Sequence, residues 1–251
     1  MADRDRDDLL VELVRLRGTA TVETLSREIG VGPSTVRRDL RRLSDAGRVV
    51  RTSGGATLAD RPAATAGEHA SRAQAEKRRV AVAAAGLVRD GQTIAITSGS
   101  TAVEFARQLV GRTDLTVITN SLDVAQVLVD RDGIQLVVLG GVARPRMHSL
   151  LGHLTEQACR ELRADALFMG IGAISLDRGL MNDYMPEILT DRAVRSVART
   201  IVVMADSAKF DHVAPALVFG LDEVDVIVTD SAVRPDVVAD LEARQIRVIV
   251  A

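Results

Sequence analysis

Seven short apolar runs constrain the fold of this chain more than any other feature of its sequence. Most of them are separated by segments of helical length, and strands that alternate with helices form parallel sheets covered on both faces. We therefore predict a mostly parallel, doubly wound α/β domain. The runs occupy residues 93–96, 115–118, 135–139, 166–169, 201–204, 226–228 and 247–250.

Small and polar residues follow the ends of these runs. In a doubly wound sheet the ligand crevice lies at the carboxyl ends of the strands, so these residues are expected to meet in one pocket. Each ending alone is a weak turn signal, but together they favour a binding site. The endings are Ser98-Gly99-Ser100, Thr119-Asn120-Ser121, Gly140-Gly141, Gly170-Ile171-Gly172, Asp206-Ser207 and Thr229-Asp230.

The first of these endings has two interpretations. Residues 97–101 read Thr-Ser-Gly-Ser-Thr and lead directly into a segment with the apolar spacing of a helix. Unpaired amides and the positive dipole end at a helix N-terminus suit a phosphate, which makes this turn a candidate anion cradle. The alternative is an ordinary strand-to-helix turn in which Ser100 is the N-cap.

A different pattern fills the first part of the chain. Apolar positions at helical spacing predict helices over residues 4–17, 22–29 and 33–43. Gly18 ends the first helix, Gly47 ends the third, and residues 30–32 form a tight turn between the second and the third. Residues 49–51 and 53–58 predict a short hairpin. This is the layout of a winged helix-turn-helix, in which the second helix of the motif enters the major groove of DNA.

The charge distribution agrees with DNA binding. Residues 30–58 contain six arginines and two aspartates, a local charge of +4 in a chain whose net charge is −2. Local positive charge is typical of a nucleic-acid footprint, and the alternative is a solvated helical face. We expect Ser34, Thr35, Arg37 and Arg38 to meet base edges or phosphates, and Arg41, Arg51 and the hairpin to contact the DNA backbone.

Composition argues against several other classes of protein. One tyrosine, four phenylalanines and no tryptophan argue against a single-strand binder, which needs aromatic stacking platforms. The four histidines show no ligand spacing and Cys159 is the single cysteine, so we expect no metal, other cofactor or disulfide. No apolar run approaches the roughly 20 residues that span a membrane, and the N-terminus lacks a signal-peptide core. We therefore expect a cytoplasmic protein with no membrane partner.

Three segments result from these patterns. We predict a DNA-binding domain over residues 1–58 and an α/β domain over residues 72–251. The segment between them, residues 59–71, lacks apolar periodicity and is predicted to be a linker.

The sequence resembles one known family over nearly its whole length. Residues 31–40, Val-Gly-Pro-Ser-Thr-Val-Arg-Arg-Asp-Leu, followed by Gly47 and by Arg-Thr-Ser-Gly-Gly-Ala at 51–56, look like the N-terminal domain of DeoR-family bacterial transcription regulators. The second part of the chain resembles the effector domain of that family. The residues that carry this resemblance are Ala75-Glu76-Lys77, Ser98 to Thr101, Thr119-Asn120-Ser121, Gly140-Gly141, Ser149 with Gly152, 168–170, Glu187 and 206–210.

The resemblance implies a fold and a function. The family's effector domain is similar to ribose-phosphate isomerase and to the sugar-phosphate deaminases and CoA transferases of the same fold. Members of the family typically bind phosphorylated sugars or related metabolites, and most of them repress catabolic operons. The implied partners are double-stranded operator DNA and such an effector. The implied effector site comprises Lys77, Ser98, Gly99, Ser100, Thr101, Asn120, Gly140, Gly141, Gly170, Glu187, Asp206 and Lys209.

Two further expectations concern assembly and the lysines. A single small reading head discriminates poorly between DNA sequences, so we expect a homo-oligomer, either a dimer or a tetramer. Of 32 basic residues only Lys77 and Lys209 are lysines, and both fall on motif positions. For Asp206 and Lys209 the alternative is a surface ion pair. Arg144 and Arg146 either close over a phosphate or are ordinary exposed loop residues.

An enzyme is the alternative to a sensor. Sugar-phosphate isomerisation needs a carboxylate base near the substrate, and Asp206, Glu187 and Lys209 are the candidate groups. Thr97 stands where the family turn usually has an aspartate, which leaves this set thin and brings the turn closer to the phosphate loop of the isomerases. We therefore expect no catalytic residues; the alternative is a sugar-phosphate isomerase-like enzyme with an accessory helical domain.

Overall fold

The computed structural model describes residues 3–17, 19–45, 48–51, 54–58, 66–145 and 147–251. The chain divides into two compact units, Met1–Ala70 and Ser71–Ala251. Residues 59–65 of the predicted linker lie outside the described residues. Its remaining residues, 66–71, belong to helix α4 (Ala66–Ala85), so this helix begins earlier than the sequence indicated.

The N-terminal unit is a winged helix-turn-helix. Helices α1 (Asp3–Arg17), α2 (Val22–Ile29) and α3 (Pro33–Asp45) are followed by strands β2 (Val49–Arg51) and β3 (Gly55–Leu58), as predicted. The predicted helix stops, Gly18 and Gly47, lie outside the described residues. A third strand, β1 (Thr19–Thr21), was not predicted and pairs antiparallel with β3, giving the order β1-β3-β2. Buried apolar side chains of all three helices form its core, among them Leu10, Leu25, Val36, Leu40 and Leu43.

A buried ionic cluster holds α1 against α3. Arg6 Nε donates to Asp39 Oδ2 at 2.7 Å, and Arg42 bridges Asp39 and Asp7, with Nη2 2.7 Å from Asp7 Oδ1. Asp39 is 2% exposed. Burial opposes its ionisation, but the hydrogen bonds from Arg6 and Arg42 outweigh burial, so the pKa of Asp39 lies below its ordinary value. Arg42 therefore has a structural role, although it adds to the local positive charge.

The second unit is built on a seven-stranded parallel sheet, as predicted. Its strands occur at the seven apolar runs: β4 (Thr93–Ile96), β5 (Leu115–Thr119), β6 (Ile134–Val138), β9 (Ala164–Gly170), β12 (Ala198–Met204), β14 (Val226–Thr229) and β15 (Arg247–Val250). The spatial order is β15-β14-β12-β9-β4-β5-β6, and every pair of neighbours is parallel.

Helices cover both faces of this sheet. Ile94 and Ile96 pack in one apolar cluster with residues of α4, α5 (Ser100–Gln108) and α6 (Leu122–Leu128). Ala95 packs in the cluster on the other face with residues of α7 (His153–Glu161), α8 (Ile188–Val197) and α9 (Pro235–Ala243). Alternate strand residues point to opposite faces, so a strand buried on both faces reads as the continuous apolar run seen in the sequence.

The order of the strands fixes where a ligand crevice forms. From β4 the chain passes outward to β5 and β6, and then returns to β9 on the other side of β4. The connections on the two sides of this point run in opposite directions, which leaves a crevice outside the carboxyl ends of β4 and β9.

Five short antiparallel strands that were not predicted surround the sheet. Strands β7 (Val142–Arg144) and β8 (Ser149–Leu151) form a hairpin, and β10 (Ala173–Ser175), β11 (Gly179–Asn182) and β13 (Ala216–Phe219) form a small sheet. Three 3₁₀ helices lie at Met185–Glu187, Ser207–Phe210 and Leu221–Glu223. These additions matter for function because several of their side chains reach the crevice.

Candidate functional site

A cavity of about 280 Å³ lies at the carboxyl ends of β4 and β9. The turn after β4 contributes Thr97 to Thr101, and the segment after β9 contributes Gly170 to Gly172. The rest of the lining comes from α4, the unpredicted β7 and β11, the 3₁₀ helices and neighbouring residues. These residues are Lys77, Arg144, Met147, Asn182, Asp183, Tyr184, Glu187, Asp191, Met204 and Lys209.

The N-terminus of α5 opens onto this cavity. Gly99 is the N-cap, with φ of 119° and ψ of 161°, and it supplies no side chain to the first amides of the helix. Ser100 is the first residue of the helix, so the alternative in which Ser100 caps it is wrong. A backbone of positive φ at this position favours glycine. The turn thus presents uncapped amides beside the hydroxyls of Ser98, Ser100 and Thr101, which is suited to an anion.

Thr97 joins the two strands that border the crevice. Its amide donates to the Phe168 carbonyl at 3.2 Å, and its hydroxyl accepts from the Gly170 amide at 3.3 Å. The side chain is almost fully buried. Thr97 therefore holds β4 and β9 together at the base of the Ser98–Thr101 turn.

Both lysines line the cavity. Lys77 extends from α4, and Lys209 lies in the 3₁₀ helix that follows β12. Within the described part of the chain, neither lysine ammonium lies within 4.0 Å of a carboxylate. Asp206 and Lys209 therefore do not form the surface ion pair that was the alternative. Two cations without a protein counter-ion beside uncapped amides suit a dianion such as a phosphate monoester.

A second group of lining residues is acidic. Glu187, 4% exposed, pairs with Arg144 and accepts from the Ser149 hydroxyl at 2.9 Å. Arg144 also lies over the Tyr184 ring, 3.9 Å from its centroid, in a cation–π contact. One helical turn after Glu187, Asp191 accepts from the Asn182 amide at 2.8 Å and is 6% exposed.

Burial shifts the pKa of Asp191, which lines the cavity. Burial raises the pKa of Asp191 to about 7, and the nearby Glu187 carboxylate adds to the rise. The hydrogen bond from Asn182 and the charge of Arg144 oppose the rise but do not cancel it. The carboxyl therefore takes up a proton at a much higher pH than an ordinary aspartate.

Four predicted effector contacts lie outside the cavity lining. Asn120 is buried and donates to the Leu150 carbonyl at 3.2 Å, while the Gly140 carbonyl accepts from the Thr155 hydroxyl. Gly141 packs so closely on the β7–β8 hairpin that a Cβ there would lie 2.7 Å from the Leu151 carbonyl oxygen. Asp206 begins the 3₁₀ turn, where its backbone carbonyl accepts from the Lys209 amide at 3.0 Å. The side chain of Lys209 lines the cavity, and that of Asp206 does not.

The other predicted contacts do line the cavity. They are Lys77, Ser98, Gly99, Ser100, Thr101, Gly170, Glu187 and Lys209. Sequence reasoning did not single out Asn182, Tyr184 and Asp191, and it left Arg144 undecided. The four-residue spacing of Glu187 and Asp191 along a helix was the available signal for Asp191, because such residues share a face. Arg146, which the sequence analysis considered together with Arg144, lies outside the described residues.

The predicted reading helix presents an exposed polar face. In α3 the side chains of Ser34, Arg37, Arg38 and Arg41 are exposed and Thr35 is half-buried, whereas Val36, Leu40 and Leu43 are buried in the core. Arg37 Nη2 lies 3.6 Å from Glu23 Oε1 in a solvent-exposed pair. The backbone of Arg51 lies in β2, and its side chain is outside the described residues.

Two sequence families match this chain. The model for the DeoR C-terminal sensor domain matches residues 72–231, which include the whole lining of the cavity. The model for the DeoR-like helix-turn-helix domain matches residues 6–61. The chain belongs to the DeoR family.

Individual relatives agree with this assignment. The putative aga operon transcriptional repressor of Escherichia coli O157:H7 is 31% identical to this chain. The match covers 98% of this chain and 93% of the relative. The glycerol-3-phosphate regulon repressor of Escherichia coli K12 is 29% identical over 92% of each chain. Among solved structures, ribose 5-phosphate isomerase A from Methanocaldococcus jannaschii is similar with a TM-score of 0.40 and 24% identity over 53% of each chain.

The described residues contain neither a metal-ligand cluster nor a membrane-spanning helix. Among the described residues there is no group of three or more His, Cys, Asp and Glu side chains that is placed to hold a metal ion. In the same part of the chain, no helix is long and apolar enough to cross a membrane.

Proposed function

We propose that this protein is a sequence-specific DNA-binding repressor of a carbohydrate catabolic operon, and that a phosphorylated sugar or related metabolite controls its binding to the operator. One observation carries the proposal. A single chain of the DeoR family combines a helix-turn-helix with a cavity where two lysines meet an uncapped helix N-terminus. The relatives named for the aga operon and the glycerol-3-phosphate regulon support it.

The DNA contacts follow from the exposed face of α3. The first residues of a reading helix contact base edges, so Ser34, Arg37 and Arg38 read the major groove, with Thr35 beside them. Arg41, one turn further along, and Arg51 of the wing contact phosphates. The exposed Glu23–Arg37 pair is worth little in water. Arg37 can therefore leave Glu23 for DNA at small cost.

The effector contacts follow from the cavity. Its phosphate lies at the N-terminus of α5, held by the amides and hydroxyls of the Ser98–Thr101 turn and by Lys77 and Lys209. Gly170 allows the ligand to approach the backbone between β4 and β9. Glu187, with Arg144 and Asp191, meets the rest of the ligand. Asn120, Gly140, Gly141 and Asp206 support neighbouring segments and do not touch the effector.

The acid predicted as a catalytic base is not free in this cavity, so we propose that the cavity binds its ligand without turnover. Glu187, the acid predicted as a base, is held by Arg144 and by the Ser149 hydroxyl, so it is already committed to ionic and hydrogen-bonding partners. Asp191 is the acid that an isomerase-like reaction would require, because its pKa of about 7 suits a general base. Turnover of any pentose or hexose phosphate that is lost in Asp191→Asn would establish the enzyme instead.

The protein acts as a homo-oligomer, a dimer or a tetramer, on paired half-sites in the cytoplasm. One winged unit of this size contacts too few base pairs to select a single site in a genome, and two-fold symmetric operators match two-fold symmetric proteins. Sedimentation of the protein with and without a selected duplex measures this stoichiometry.

A selection experiment tests the DNA-binding function. Duplexes bound by the full chain are enriched from a random library, and the affinity for the enriched sequence is measured by fluorescence anisotropy. Arg37→Ala/Arg38→Ala is expected to weaken binding by about 2–6 kcal/mol, because each arginine contact is worth about 1–3 kcal/mol.

A matched control removes the same charge elsewhere. Arg178 and Arg199 are exposed residues of the second unit, and Arg178→Ala/Arg199→Ala should leave the affinity nearly unchanged. If both double variants bind the enriched duplex like the wild type, α3 does not read DNA and this function is wrong.

A further inference from the structure

The charged residues of the cavity fall into two groups. Lys77 and Lys209 accompany the anion-binding turn, while Arg144, Glu187 and Asp191 form a second cluster. The charges that act on Asp191 are those of Glu187 and Arg144, so this cluster is electrostatically coupled within itself. Asp183 also lines the cavity, but it is exposed and lies 3.5 Å from His212 Nε2.

Within this second cluster the charges do not balance. Arg144 is in direct contact with Glu187 and neutralises it. Among the described residues, the side chain of Asp191 has only the neutral Asn182 side-chain amide as a hydrogen-bonding partner, and no cation lies within 4.0 Å of it. Buried carboxylates are normally paired with a cation. Asp191 is therefore a buried acid that faces a ligand cavity without a counter-ion of its own.

We propose that Asp191 receives a cationic amine of the effector, so that the cavity selects phosphorylated polyols that carry an ammonium group over those that carry only hydroxyls. This inference rests on the proposed function, since it assumes that the phosphate of the same ligand lies at the N-terminus of α5. It names Asp191 as a specificity-determining residue and Asn182 as the residue that positions its carboxyl.

The balance of charge favours an ammonium over a hydroxyl. The two lysines and the helix N-terminus supply the counter-charge for a phosphate. With Arg144 committed to Glu187, an ammonium would give Asp191 the counter-ion that the protein does not provide. A hydroxyl brings no charge, so Asp191 must either stay protonated or remain a buried, unpaired carboxylate when a neutral ligand covers it.

Proton release is the specific signature of this arrangement. An ammonium beside Asp191 stabilises its charged form and lowers its pKa from about 7, so binding near pH 6.5 expels the proton that Asp191 carries. Other titratable groups surround Asp191. Glu156 of α7 is one of them, and its carboxylate lies 3.5 Å from the Thr190 hydroxyl. The others line the cavity: Glu187, Arg144, Asp183, Tyr184, Lys77 and Lys209. Replacing Asp191 itself separates its proton from theirs.

The test compares glucosamine 6-phosphate with glucose 6-phosphate. Both carry the same phosphate, whose second pKa of about 6 contributes equally to the two titrations. Calorimetry of the full chain at pH 6.5 in buffers of different ionisation enthalpy yields the affinity and the number of protons released. We expect the wild type to prefer the amine ligand about tenfold or more, and to release more protons with it than with glucose 6-phosphate.

Three variants make the result decisive. Asp191→Asn keeps the shape of the side chain and should lose both the preference and the extra proton, and Asp191→Ser does the same if the first variant is unstable. Asp177→Asn removes an exposed carboxylate outside the cavity and should retain both. Cooperative thermal unfolding of each variant shows that the unit carrying the cavity is folded.

The outcomes also separate this inference from the proposed function. Equal binding of the two sugars, or a preference that survives in Asp191→Asn, overturns the amine selectivity and leaves the effector site intact. Binding of inorganic phosphate but of neither sugar overturns it as well. If none of the three compounds binds, both the inference and the proposed effector site are wrong.

Discussion

At the scale of single residues, the cavity depends on side chains whose roles come from their partners. The sequence singled out Lys77 and Lys209 because they are the only lysines of the chain, and both line the cavity. It also singled out Asp206, but the 3₁₀ turn after β12 brings Lys209 to the cavity in its place. Asn182 and Asp191 were missed because their hydrogen bond joins β11 to α8, and β11 was not predicted.

Loss of one cavity lysine should weaken phosphate binding directly. In Lys209→Ala the phosphate loses a charge-assisted hydrogen bond worth about 1.5–3 kcal/mol, so the Kd for a phosphorylated ligand should rise about tenfold or more. Calorimetry with glucosamine 6-phosphate measures the change. Arg199→Ala removes the same charge at the amino end of β12 and should bind the ligand like the wild type. Equal affinities in Lys209→Ala and the wild type would place the phosphate elsewhere.

The ionic cluster of the winged unit should make its stability dependent on acid. The pKa of Asp39 is below its ordinary value, so the ionised carboxylate stabilises the fold above about pH 4 and this contribution is lost as the pH falls through the lowered pKa. Asp39→Asn should cost about 3 kcal/mol at pH 7, because it removes the buried carboxylate that accepts from both Arg6 and Arg42.

Denaturant unfolding of both proteins across pH 3–7 measures this difference. The gap between wild type and Asp39→Asn should be constant above about pH 5 and should shrink towards pH 3. Glu23→Gln, which removes an exposed partner of Arg37, should change stability by less than about 1 kcal/mol. A pH-independent gap would assign the loss to packing and not to charge.

At the scale of elements, the turn between β4 and α5 connects the fold to the site. The sequence left open whether this turn was capped by Ser100 or free to bind an anion. The structure places glycine at the cap, and a glycine cap leaves the helix amides to the cavity. The five antiparallel strands were missed because they do not alternate with segments of helical length, which is the pattern that identified the parallel strands.

A single methyl group should test the geometry of this turn. Gly99 has φ of 119°, which costs an L-residue about 1–3 kcal/mol, so Gly99→Ala should shift the turn and weaken glucosamine 6-phosphate binding about fivefold or more. Gly140→Ala is the matched control, since Gly140 lies outside the cavity and an added Cβ meets nothing within 4 Å. Equal ligand affinities in the two variants would show that the turn does not hold the phosphate.

At the scale of the whole molecule, the sheet was predictable and the position of the site within it was only partly so. The five inner strands are mostly buried and read as continuous apolar runs, whereas the edge strands β6 and β15 are partly exposed. Every strand ending was expected to contribute, yet the cavity is lined from the ends of β4, β9 and β12 and not from the ends of β5 and β6. Asn120 and the Gly140-Gly141 pair follow β5 and β6, which lie further out, and there they contact the β7–β8 hairpin and α7.

Control of DNA binding by the cavity is the central claim, and it requires that the effector bind the free and DNA-bound protein with different affinities. The direct measurement is the anisotropy of the selected duplex, titrated with the full chain in the absence and presence of saturating glucosamine 6-phosphate. A coupling of about 1 kcal/mol or more should change the Kd for DNA at least about fivefold in the wild type. In Lys209→Ala, whose Kd for the ligand should be about tenfold higher, the same change in DNA affinity should require about tenfold more ligand. Identical DNA-binding curves for the wild type with and without bound ligand would contradict the claim.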